Sequence, residues 1–168
     1  MKNVASNHYI ELNSTADAVV TGCTFDGGAE QNDASMEAVQ IDGAISSATF
    51  SGGAPYDNTF CSNIKIINIT FNNCGSGVGT HSSVASKQHL LITVAHNVIS
   101  SSYYYGVRVL TWANSSIAHN HFYGAAVRIY AYCDGTINDG LSITGTPFLS
   151  VGLSSAAGAG NGPALYLV

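Results

Sequence analysis

His81, Arg108 and Arg128 are the residues whose chemistry stands out first. The chain has only five Lys and Arg among 168 residues, and two of them fall at matching positions of short strand-like segments. A guanidinium binds a carboxylate through a two-pronged fork and stabilises developing negative charge. An imidazole beside two guanidiniums is disfavoured in its protonated form, which leaves a neutral base near neutral pH. Tyr130, or one of Tyr103 to Tyr105, offers a phenol able to return a proton, and Lys87 is a second candidate base. Glu37, Gln40 and Asp42 can hold sugar hydroxyls or buttress loops, while Tyr104, Tyr105 and Trp112 offer flat apolar faces beside polar groups. Each residue also has a plainer reading. The arginines can pair with Glu11, Glu37 or Asp42 in a solvated ion network; His81 can serve a turn, and the aromatics can pack in turns.

What could bring these residues together is a repeat. An apolar pair, small polar residues and a bulky apolar residue recur in Val20 to Phe25, Ile66 to Phe71, Val94 to Ile99, Ile117 to Phe122 and Ile143 to Phe148. The later copies are about 25 residues apart, too close for strand–helix–strand units. The first gap is roughly twice as long, so one coil carries an insertion or one copy is degenerate. A second series of short segments aligns Ile10, Val39, Val78, Val107 and Val127 in one inward column. The pattern predicts an all-β, right-handed parallel β-helix of about five to six coils over residues 1–168, with two recognisable strands per coil and no obvious end caps. Phe25, Phe71, Ile99, Phe122 and Phe148 should form a matching internal stack.

Alternation then assigns the outward residues. One column reads Glu11, Gln40, Gly79, Arg108, Arg128, and the next Asn13, Asp42, His81, Leu110, Tyr130. Long connections from Asp26 to Met36, Gly43 to Ser62 and Ser82 to His89 should wall a groove beside them. Charged residues make up only 9% of the chain and the formal net charge is -5, which argues against a nucleic-acid partner. No segment is apolar over the length of a membrane span, and the first residues lack the apolar core of an ordinary signal peptide. Cys23, Cys61, Cys74 and Cys133 lack zinc-site spacing and read as small buried hydrophobes. No cofactor is expected and no metal motif stands out, although acidic oxygens from several coils could hold calcium. The last residues begin a strand and stop, so a homotrimer, or further coils of a longer chain, is expected to cover the ends.

Glu37 to Asp42, Pro55 to Cys61, Asn68 to Phe71 and Gly77 to Ser82 resemble a β-helix family of phage and prophage tail proteins. That family includes lyases of heparosan-type bacterial capsules and is distantly similar in fold to pectate lyases. The resemblance implies a polysaccharide lyase that cleaves a uronate-containing glycan by β-elimination, in a trimeric assembly on a virion tail or outside the cell. In it, Arg108 and Arg128 neutralise the uronate carboxylate, His81 or Lys87 removes the proton, and a tyrosine protonates the leaving oxygen. Two alternatives stay open: a glycoside hydrolase using a pair among Glu11, Glu37 and Asp42, and a non-catalytic carbohydrate-binding or receptor-binding tail-fibre segment.

Overall fold

The computed structural model describes residues 8–27, 36–47, 55–80, 82–84, 87–100, 104–123, 127–132, 140–145, 148–149 and 165–167, with 127–132, 148–149 and 165–167 described as backbone alone. The chain winds in coils of three strands. The first coil contains β1 (Ile10–Asn13), β2 (Ala16–Thr21) and β3 (Thr24–Asp26), and the second β4 (Glu37–Asp42), β5 (Ser62–Ile67) and β6 (Thr70–Asn72). The third holds β7 (Ser76–Gly79), β8 (His89–Ala95) and β9 (Val98–Ser100). The fourth holds β10 (Tyr105–Leu110), the short β11 (Trp112–Ala113), β12 (Ser116–Ala118) and β13 (His121–Tyr123). In the fifth are β14 (Val127–Tyr132), β15 (Ser142–Thr144) and β16 (Phe148–Leu149), and β17 (Leu165–Leu167) opens a sixth.

Successive coils stack through three parallel sheets. The first face runs β1-β4-β7-β10-β14-β17, the second β2-β5-β8-β12-β15 with β11 also on β8, and the third β3-β6-β9-β13-β16. Sequence periodicity distinguishes two strands per coil; the structure adds a third, which the pattern hides because only a short corner separates the second face from the third. The doubled first gap is an insertion, since Phe25 pairs directly with Phe71 across one rung. The internal stack then continues through Ile99, Phe122 and Phe148. Phe25, Phe71, Ile99 and Phe122 are fully buried, and the rings of Phe25 and Phe71 lie 5.4 Å apart.

Columns of left-handed residues turn the corners. Gly22, Asn68, His96, His119 and Gly145 all have positive φ and follow directly on residues paired across the second face. A second column, Asp17, Asn63, Leu91, Asn114 and Gly140, kinks the start of that face. The left-handed region costs most L-residues roughly 1–2 kcal/mol, with Gly and Asn the usual exceptions, which explains why Asn and Gly recur at these offsets. Inside the later corner, Asn97 and Asn120 are fully buried and form a ladder. Asn97 Nδ2 donates to Ile66 O and to Asn120 Oδ1, its Oδ1 accepts from Ile69 N–H, and Asn120 Nδ2 donates to Val94 O.

Cys61 and Cys74 are buried and Cys23 is half-buried, all three as free thiols; Cys133 lies outside the described residues. Burial pushes the Cys61 thiol up to about 11 and the Cys74 thiol up to about 12. No helix among the described residues is long and apolar enough to cross a membrane.

Candidate functional site

The first face carries most of the residues singled out from sequence, and its register decides which of them meet. Glu11 pairs with Gln40, Gln40 with Gly79, and Gly79 with Arg108, as the outward column requires. The column breaks at the next rung. Arg108 pairs with Tyr130, and Val107 with Ile129 rather than Val127. Arg128 therefore sits two residues back along β14, roughly 6–7 Å from the position the column gave it. A two-residue shift keeps every residue on its own face, because the side-chain period is two; alternation alone could not exclude it. By the same shift Leu110 pairs with Tyr132, and Tyr130 takes the place beside Arg108. His81 lies outside the described residues, and the side chains of Arg128 and Tyr130 are not described.

Arg108 does not stand free above this face. Its Nη1 lies 3.3 Å from Oε1 of Glu37, whose side chain is fully buried. His8 Nδ1 lies 2.6 Å from the Glu37 carbonyl and 3.8 Å from its Oε2. The guanidinium lies 5.7 Å from the centre of the Tyr105 ring, and Tyr104 stands beside Tyr105 at 6.3 Å. Gly79 makes the arrangement possible. A Cβ there would stand 2.7 Å from Arg108 Cβ, 2.8 Å from the Arg108 carbonyl and 3.1 Å from Glu37 Cγ.

Besides Glu37, three predicted glycan contacts are turned away from solvent. Gln40 and Asp42 are buried despite their outward positions. Gln40 Nε2 donates to Asp42 Oδ2 at 2.6 Å, and the Ser82 amide donates to Asp42 Oδ1 at 3.2 Å. Trp112 is fully buried, and its indole N–H donates to Thr80 Oγ1, which in turn donates to Ile41 O. Its ring is a core element, so it cannot act as a platform for sugar. The signal that misplaced it was its position just after β10, where the chain turns inward to begin the second face.

Lys87 belongs to a different place. The long connections ending at Ser62 and His89 meet where the first face turns into the second. There Asp57, Asn58, Thr59, Phe60, Lys87 and Leu90 are among the residues lining an open cleft of about 420 Å³. Asp57 Oδ1 accepts the Thr59 amide at 2.9 Å. Hydrogen bonds from Thr59, with the Lys87 charge adding a smaller effect, hold this exposed carboxyl below the usual range. Behind the cleft wall lies His89, fully buried, with the Phe60 ring 4.7 Å from its own. The Cys61 amide donates to His89 Nδ1, so the ring proton sits on Nε2, which has no hydrogen-bond partner among the described residues. Burial drives the His89 pKa down to about 3, leaving the imidazole neutral. Sequence spacing gave no sign of this residue's role because its partners come from another coil. No group of three or more His, Cys, Asp or Glu side chains that could hold a metal ion gathers among the described residues.

Together the stacked sheets define a right-handed parallel β-helix. No family model matches the chain, and no curated protein matches it in sequence. Among solved structures it is similar to PfbA, a surface adhesin of Streptococcus pneumoniae, with a TM-score of 0.74 at 17% identity over 97% of this chain and 45% of PfbA. The chain thus spans less than half the length of that protein, and at this identity the likeness shows the fold alone.

Proposed function

We propose that this chain is a non-catalytic carbohydrate-binding segment of a β-helix protein displayed outside the cell. The observation that carries the reading is the Glu37–Arg108 pair. A lyase needs a guanidinium free to neutralise a uronate carboxylate, whereas this one is engaged by a fully buried carboxylate. Breaking such a pair leaves a buried charge poorly compensated, at a cost of about 3–5 kcal/mol. The hydrolase reading is weaker still. Glu37 and Asp42 stand at opposite ends of β4, roughly 16 Å apart at about 3.3 Å per residue, beyond the roughly 5–9.5 Å that paired glycosidase carboxylates span. Asp42, the carboxylate closer to Glu11, is buried and already accepts from Gln40 and the Ser82 amide. Half-buried Tyr104 and Tyr105 and the polar cleft at the corner suit the apolar faces and hydroxyls of sugar rings. The surface role of PfbA is in keeping with a display function.

The test is a panel of immobilised bacterial glycans, neutral and uronate-containing, read for binding, for chain length and for ultraviolet absorbance of unsaturated uronate. Binding without shortening is the expected result. New absorbance, lost in Arg108→Ala, would instead establish the lyase of acidic capsule that the phage-tail resemblance implies. Sedimentation of the same sample reads whether the chain assembles as a homotrimer.

A further inference from the structure

The corner cleft brings together groups that suit one kind of ligand. Leu90 is 42% exposed at a rung position where its paired neighbours are Ser62 and Ala113. A large apolar side chain thus replaces small ones at the mouth of the cleft. Phe60 supplies a second apolar surface, while Asp57, Asn58 and Gln88 supply donors and acceptors. The charges cancel, since Lys87 faces the cleft together with Asp57. Of the other described cations, Arg108 is matched to Glu37, and Lys65 stands exposed on β5 outside the cleft lining. The chain as a whole carries a formal charge of -5, which repels a polyanion.

We infer that the cleft between the two long connections is a binding site for an uncharged pyranose residue, with its C–H face on Phe60 and Leu90 and its hydroxyls on Asp57, Asn58 and Gln88. This rests on the glycan-binding reading above and adds to it a place and a substrate class. Lys87 serves here as an N–H donor to a sugar hydroxyl, beside the opposite charge of Asp57, not as a base. A buried apolar contact of this kind dominates affinity in an otherwise solvated cleft.

The experiment is amide chemical-shift mapping with three probes: cellotriose, the trimer of N-acetylglucosamine, and trigalacturonate. A neutral trimer should shift the amides of 57–62 and 87–90 saturably. Its affinity should hold between about 50 mM and 500 mM salt, because no net charge is neutralised on binding. Leu90→Ser, which copies the Ser62 rung, should weaken it about tenfold. Asp57→Asn should remove the one acidic charge lining the cleft and improve trigalacturonate binding about tenfold, and Lys87→Ala should cancel that gain. Trigalacturonate binding to wild type as tightly as the neutral trimers, or Leu90→Ser without effect, overturns the proposal. Silent cleft amides combined with glycan binding that Arg108→Ala or Tyr105→Ala abolishes would overturn the cleft alone and leave the binding function standing. If no glycan of either panel binds anywhere, both fall.

Discussion

Two corners of the solenoid bury polar groups in opposite ways. Where the second face turns into the third, Asn97 and Asn120 satisfy each other and four backbone or amide groups around them. Where the first face turns into the second, Asn13, Thr111 Oγ1 and His89 Nε2 are buried without partners among the described residues. The first corner is short and repeats rung after rung. The second accommodates the insertions of the second and third coils and forms the cleft. A fully paired polar ladder specifies register and rigidifies a core, whereas the corner of the long connections is laid open as a cleft. The contrast separates the corner that builds the fold from the one that has room to bind.

The largest effect should come from the ordered corner. Asn97→Ala strands the Ile69 amide and the Ile66 carbonyl and leaves Asn120 Oδ1 with only the backbone amide of residue 97, and should destabilise by about 2 kcal/mol or more at about 1–3 kcal/mol per buried orphan. Urea unfolding measures it, and a loss below about 1 kcal/mol would dissolve the contrast between the corners. Gly79→Ala follows, because its Cβ would collide with the Arg108 backbone and Cβ. Off the corners, it should cost about 1–3 kcal/mol as overpacking does, and a tolerated alanine would show that the first face is loose.

At the open corner the effect is one of pH. The folded His89 pKa, about 3, lies below the unfolded value near 6.5, so the unfolded chain takes up the proton first. Its contribution to stability is intact above about pH 6.5 and is lost as pH falls toward 3, by about 1.4 kcal/mol per unit. His89→Asn, which keeps an acceptor for the Cys61 amide, should flatten the fall in unfolding free energy from urea titrations between pH 6.5 and 5 by about that slope; an unchanged slope would mean the imidazole is not dry. The smallest effect should be a gain. Leu91 sits at φ 57 and is exposed, between Asn63 and Asn114 in the same column. Leu91→Asn should stabilise by about 0.5–1 kcal/mol, read as a raised Tm.

Much of this architecture was legible because a solenoid writes its geometry into sequence as a period. The stack from Phe25 to Phe148 and the column from Ile10 to Val107 follow from which positions are apolar, and each rung repeats the same demand. The site was less legible, for reasons particular to its residues. Trp112 looked like a sugar platform because nothing local distinguishes an indole that turns inward from one that turns out. Lys87, expected on a loop beside the face that bears Arg108, lines instead the corner cleft, whose lining does not include Arg108.

The coil and the inward columns follow from the pattern of apolar and polar residues alone, because alternation along a strand is a local constraint. The register of β10 on β14, the partner of Arg108 and the burial of His89 emerge from the folded stack. A slip of two residues leaves every side chain on its own face, so pattern cannot detect it. An ion pair between coils depends on which strands lie side by side, which is fixed only once the whole stack has formed.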